Sequence, residues 1–274
     1  MKHKVFTMFI FLASLILLIA CDNDPNKTDS AIPTGQETQS KEEAQKQQMV
    51  DDIKNLLPTV TQVLTTQNDN NWDENAQGYN LFDPNQLFAV TQHTPQGQAV
   101  AKLYNANDED SKAARREIYL AFEYNKDYIE AFGALANKMA ANATATPAMK
   151  TTLEDILNSM REYANAYYLT AFYTLNNKKD EIEKLSLDTL KTLHNKVNEI
   201  QKAKTNIVNA VNKIKEDYDT DKAIGKATPQ NKLKTTATAT EIRDYLESKK
   251  GAFEPDFNII KNTSNEIMNI FIAP

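Results

Sequence analysis

Apolar residues recur along this chain at intervals of three and four, the spacing that gathers them on one side of an α-helix. Val50, Ile53, Leu56, Leu57, Val60 and Leu64 follow it in a first helix opening at Lys41, which Pro58 is expected to kink or split. Asn68 to Gln77 reads as loop; its Trp72, the only tryptophan, is expected to pack over the domain edge, with a partner anchor as the alternative. Asp83-Pro84 reads as a helix start with proline at the first position, running through Val90, and Gly97 to Asn105 as a second short helix. Asp108 is a helix cap, with Glu109 and Asp110 complementing the N-terminal dipole and Ala114, Ile118, Ala121 and Phe122 on the buried face. Asn125 caps Lys126 to Ala141, whose stripe is Ile129, Phe132, Leu135, Ala136 and Met139. Pro147 begins a long helix to about Asn176, with Leu153, Ile156, Leu157, Met160, Tyr163, Tyr167, Ala171 and Phe172 inward.

The clearest stretch is Ser186 to Tyr218. Leu190, Leu193, Val197, Ile200, Ile207, Val211, Ile214 and Tyr218 alternate by three and four, broken only at Lys204, where a polar core contact or solvent could take the side chain. At a rise of 1.5 Å per residue this is a rod of about 50 Å. A long central helix of a bundle is favoured over a free coiled coil, because the rest of the chain offers matching apolar faces. After a turn at Ala227 to Pro229, Pro229 to Lys250 reads as a helix, weak across Thr235 to Thr240 and ended by Gly251. Pro255 starts a last helix, with Phe257, Ile260, Ile267, Met268 and Phe271 on one face. No stretch alternates with period two, so essentially no sheet is expected. The fold class is all-α: a single-domain bundle of about five to seven helices with one long central helix.

The N-terminus has a different pattern. Lys2 and Lys4 precede an almost wholly apolar run from Phe6 to Ala20. That run is shorter than the roughly 20 residues a membrane-spanning helix needs, and it reads as a signal peptide over residues 1–20. Leu18-Ile19-Ala20-Cys21 looks like a bacterial lipobox, in which the Cys21 sulfur is acylated and becomes the first mature residue. The alternative is ordinary secretory cleavage beside a stray thiol. Cys21 is the only cysteine, so it has no disulfide partner in the chain. Residues 21–40 are polar and read as a lipidated, flexible tether, and residues 41–274 as the helical domain.

The chain carries 31 Lys and Arg against 37 Asp and Glu, and the predicted signal peptide contains no acid, so the mature protein is more acidic than the net charge of −6. That balance argues against a nucleic-acid partner. No catalytic pattern stands out. His3, His93 and His194 are the only histidines, no HExxH, CxxC, GxSxG or P-loop pattern occurs, and His194 has Leu190 and Asn198 as its helical neighbours. Asp69/Asp73/Glu74 and Asp108/Glu109/Asp110 are acidic clusters without EF-hand spacing, better read as solvated loop and helix-start acids than as Ca²⁺ ligands. Neither an enzyme, a metal nor a cofactor is expected. Arg115-Arg116 is the only adjacent arginine pair and is expected to make internal salt bridges, with ligand recognition as the lesser reading. Tyr168 and Tyr173 fall off the main stripe of their helix and are candidates to face a partner.

Ala114-Arg115-Arg116-Glu117-Ile118-Tyr119-Leu120-Ala121-Phe122-Glu123-Tyr124-Asn125, with Ile129 and an apolar helix after it, resembles a helix-turn-helix segment of the paralogous Borrelia outer-surface lipoproteins. So does Leu185-Ser186-Leu187-Asp188-Thr189-Leu190-Lys191, leading into the long helix that ends at Glu216-Asp217-Tyr218-Asp219. The resemblance covers roughly Ile53 to Phe271, in a family that includes the complement regulator-acquiring protein that binds factor H. It implies an all-helical fold, display on a Lyme disease spirochaete, and a role in infection of host or tick. The factor H-binding member is similar to an obligate dimer whose C-terminal helix packs into its partner. Here the chain stops at Ile272-Ala273-Pro274, soon after the last apolar position, so a monomer is expected, with a dimer still open. No binding residue is carried over.

Three functional readings are open. The first is a lipid-anchored outer-membrane surface module that contacts a host or tick protein, a complement component among the candidates. The second is a structural envelope lipoprotein without a host ligand. The third is a carrier with an apolar cavity between its helices.

Overall fold

The computed structural model describes residues 35–272. The predicted signal peptide, Cys21 and most of the predicted tether lie outside the described residues. The chain divides into two units, residues 1–40 and 41–274, and the apolar cores lie in the second.

Helix α1 runs Gly35–Asn68, beginning six residues before the predicted start, since the Gln- and Glu-rich stretch up to Gln48 has good helix propensity. Pro58 neither splits nor ends it. Its ring sits on the exposed face, where water can take the carbonyl it leaves unpaired. The predicted helix at Asp83-Pro84 shrinks to α2, Leu87–Val90. Gln86 instead folds back on Asp83, its side-chain oxygen accepting from the Asp83 N–H at 2.9 Å. The predicted helix at Gly97 to Asn105 is absent. In its place β2 (Lys102–Leu103) pairs antiparallel with β1 (Gln92–His93).

Helices α3 (Glu109–Ala121) and α4 (Lys126–Ala143) begin at the predicted caps, Asp108 accepting from the Ser111 N–H and Asn125 from those of Asp127 and Tyr128. The predicted helix from Pro147 forms as α5 (Pro147–Ala164), a π-helical stretch (Asn165–Phe172) and α6 (Tyr173–Asn177). The wider π turns change which residues face inward. Tyr168 is fully buried and its hydroxyl donates to Glu123 at 2.6 Å, which corrects its assignment to a partner surface. Tyr173 is exposed. A short α7 (Lys179–Ile182) leads to the long helix α8 (Leu187–Asp219), with Ser186 as N-cap. The predicted helix from Pro229 begins only at α9 (Ala239–Lys250). Asn231–Lys232 form β4, paired with β3 (Ala223–Ile224). The Thr-rich run could not hold helix, whereas Thr238 and Glu241 form a capping box. Helix α10 is Glu254–Ile270. Seven of these helices reach twelve residues or more, as the bundle reading expects.

Two apolar cores form. One joins α1, the π-helical stretch, the first half of α8 and α10. The other joins α2, α3, α4, α5 and α9. Lys204, the break in the α8 stripe, makes a polar contact. Its ammonium pairs with Glu123 and lies 5.4 Å from the ring centre of Tyr167, while Ala203 takes the inward position.

The arginine pair on α3 organises the irregular chain between α1 and α3. Arg115 is buried. Its Nε donates to both oxygens of Glu74 at 2.9 Å, its Nη1 donates to the carbonyls of Tyr104 and Ala106, and its guanidinium lies 5.0 Å over Phe82. Arg116 donates to the carbonyls of Thr66 and Asp69 at the C-terminus of α1 and stacks 5.0 Å over Trp72. Trp72 packs in turn on Tyr119 and Tyr124, covering the domain edge. Removing one member of a buried ion pair costs roughly 3–5 kcal/mol. Arg115→Ala should therefore lower the urea-unfolding free energy of the chain by about 3–5 kcal/mol. Arg115→Lys should recover less than half of that, because an ammonium cannot present the guanidinium fork. An Arg115→Ala midpoint equal to that of the unaltered chain would refute this role.

Candidate functional site: an apolar cleft at the seam of two cores

The two cores do not close against each other everywhere. On α8 the stripe is fully buried from Leu190 to Ala203, but Val211, Ile214 and Tyr218 are only half-buried. Ile156 and Met160 on α5, Phe122 and Phe132 at the α3–α4 corner, Leu246 on α9 and Phe257 on α10 are half-buried too. All face a common cleft of about 490 Å³, with Leu135 and Ile207 in its wall. The sequence pattern named most of these residues as core. What it missed is that their helices stand apart here.

Three hydroxyls lining the cleft are satisfied within the protein. Ser159 donates to the Asp155 carbonyl at 2.9 Å, Thr152 to Glu247 at 3.2 Å, and the Tyr128 hydroxyl to Asn212. At one end lies Asp217, buried on α8. Lys222 and the Tyr245 hydroxyl each donate to its Oδ2 at 2.9 Å. Lys249, in the cleft wall, stands 3.6 Å from the same oxygen, and Lys213 is 3.7 Å from Oδ1 while pairing more closely with Glu216. Burial opposes ionisation of Asp217, but the hydrogen bonds from Lys222 and Tyr245 and the charges of Lys222 and Lys249 outweigh it and hold its carboxyl below the ordinary value. Burial, reinforced by Asp217, pushes the Tyr245 hydroxyl upward. The clue in the sequence was an acid three residues beyond Ile214, on the apolar row.

A second, polar cleft of about 750 Å³ lies between α3, the π-helical stretch and α10. Glu117 accepts from Arg161 Nε at 2.6 Å and from Asn165 at 2.9 Å in its wall. His93 is buried there, with Nε2 3.0 Å from Ser111 Oγ and Nδ1 without a partner. Burial, and then the charge of Arg161, lower its pKa and favour the neutral ring. His194 stands 3.0 Å from Asp52 and near Asn198.

The acidic clusters do other work. Glu74 pairs with Arg115, Asp69 and Asp73 accept from nearby backbone N–H groups, and Asp108 and Asp110 share Lys102. Among the described residues, no group of three or more His, Cys, Asp and Glu is placed to hold a metal ion.

Fold and cleft together define a class: an all-α bundle around one long helix, with an open apolar slot at the seam of its cores. The chain belongs to the family described as Borrelia Bbcrasp-1 domain containing protein, whose profile matches residues 68–272. Solved structures share the fold. The BSE31 protein of Borrelia spielmanii is 18% identical, with a TM-score of 0.60 over 82% of this chain and 99% of that one. The outer surface protein BBA65 of Borrelia burgdorferi is 14% identical, with a TM-score of 0.59 over 81% and 99%. The outer surface lipoprotein BBA64 of the same organism is 19% identical, with a TM-score of 0.53 over 82% and 96%. No curated protein matches the sequence.

Because Asp217 titrates below its unfolded value near 3.9, its contribution to stability is complete above that pH and is lost as pH falls through the lower folded value. Asp217→Asn should cost about 1–3 kcal/mol at pH 7 and flatten the stability profile below about pH 4. Chemical denaturation across pH 2–7 checks both, and parallel profiles for the two proteins would contradict the assignment.

Proposed function

We propose that this chain is a lipid-anchored surface protein of a spirochaete, held at the outer membrane through acylated Cys21, whose helical body is a non-catalytic binding module for a host or tick protein. A complement component is among the candidate partners. The observation that carries the reading is the family match over residues 68–272, which takes in the helical body beyond α1. Relatives of the same fold are described as outer surface proteins, one of them as a lipoprotein. The sequence around Cys21 supports the anchor. Among the described residues, no helix is long and apolar enough to cross a membrane. The geometry agrees with a module that binds through its surface. Its convergent ionisable groups, such as Glu74 with Arg115 and Glu117 with Arg161, are spent on one another.

Protease treatment of intact cells should degrade the protein, while full protection would defeat the surface reading. Labelled palmitate should enter the unaltered protein, and Cys21→Ala should abolish labelling and release the chain from the membrane fraction. An unlabelled protein whose Cys21→Ala variant stays in the same fraction would remove the anchor. Surface plasmon resonance of residues 41–274 against serum and tick proteins should find a ligand at micromolar concentration or below. Silence across that panel would count against the binding module.

A further inference from the structure

We propose that the apolar cleft binds one free long-chain fatty-acid anion, its hydrocarbon tail along α5 and α8 and its carboxylate beside Lys249. Shape is the first argument. From Ile207 to Tyr218 the cleft follows roughly 16 Å of α8 at 1.5 Å per residue. Its volume of about 490 Å³ is within the usual range for small-molecule sites, and a slot of that length suits an extended alkyl chain.

Chemistry is the second argument. Ile156, Met160, Val211 and Ile214 offer hydrocarbon, and the Ser159, Thr152 and Tyr128 hydroxyls are already donated within the protein. A sugar or peptide in the slot would leave its own polar groups unpaired, at a cost an alkyl chain avoids. Charge is the third. Of the lining cations, Lys215 pairs with Asp219 at 2.6 Å and Lys250 with Glu254 at 3.2 Å, whereas Lys249 stands 5.1 Å over the Tyr245 ring and 3.6 Å from Asp217, which Lys222 already meets at 2.9 Å, so Lys249 is the least tightly paired cation of the slot. Its side chain is 28% exposed, so a carboxylate beside it would be only partly screened. Asp155, Glu247 and Glu254 also line the cleft, so a carboxylate has its favourable place beside Lys249.

The chain from Asp22 onward keeps every residue of both cores and lacks the acylation site. Titrated in detergent-free buffer with cis-parinaric acid, it should bind saturably, one probe per chain, with displacement by palmitate. Ile214→Trp, which fills the slot, should weaken binding by about tenfold with an unchanged circular dichroism spectrum. Lys249→Met should weaken displacement by palmitate by about fivefold and leave displacement by hexadecanol unchanged. A diazirine-bearing palmitate should cross-link the unaltered chain within α5 and α8, a readout that needs no variant to fold. Absence of saturable binding, or cross-links confined to other elements, would overturn the proposal. Equal loss for palmitate and hexadecanol in Lys249→Met would overturn the placement of the carboxylate.

Discussion

The two adjacent guanidinium groups on α3 are the constraint on which the rest of this body depends. Between α1 and α3 the chain runs some distance with only a 3-10 turn at Asn75–Gln77, a short α2 and a pair of two-residue strands, and backbone of that kind leaves many carbonyls without regular partners. Arg115 reaches inward to Glu74 and to the carbonyls of Tyr104 and Ala106, tying both ends of the excursion to one helix. Arg116 reaches the other way to the last carbonyls of α1, which has no basic residue in its own final turn. Gly133 on α4 completes the fit, since a Cβ there would stand 2.8 Å from Leu81 Cδ2. With the excursion fixed, α2 and the aromatic residues around Tyr119 can seal the second core.

That arrangement explains which parts were legible in the sequence. Helices with a sustained apolar row and a strong cap, such as α3, α4 and α8, have a local pattern that agrees with the fold. The Gly97 to Asn105 and Pro229 to Thr238 segments depart from the helical expectation because their conformation is decided by distant partners. Asp221 holds Lys234 and Thr235 through three hydrogen bonds, and Ser111 of α3 shares a hydrogen bond with His93 of β1. Nothing in the local spacing encodes those contacts. The π-helical stretch was invisible for a related reason. A period of 3.6 is assumed when a stripe is read, and Tyr168 drops off that stripe only because the helix there has a different period.

The cleft was legible in composition but not in shape. Its residues carry the same three-four spacing as those of a closed core, and spacing says which face is apolar without saying how near the opposite face stands. What distinguishes the two halves of α8 is polar. Lys204 precedes Ile207, and Asp217 follows Ile214, so each end of the open section carries a charged residue where the rest of the helix has apolar packing.

Those two charges give the opening a mechanical basis. Lys204 ties α8 to Glu123, which sits with Tyr124 in left-handed backbone at the α3–α4 corner, φ 53° and 59°. Such a conformation is costly for residues with a side chain and persists only where neighbours hold it. Here Glu123 is held by Lys204 and Tyr168, and Tyr124 by Gln67 at 2.6 Å and by Trp72. At the other end Asp217 is fastened to Tyr245 of α9. Movement of α8 towards α5 would disturb these ties, of which the buried one between Asp217 and Tyr245 is costly to break. The slot thus lies between the two charged residues that interrupt the long helix's otherwise regular stripe.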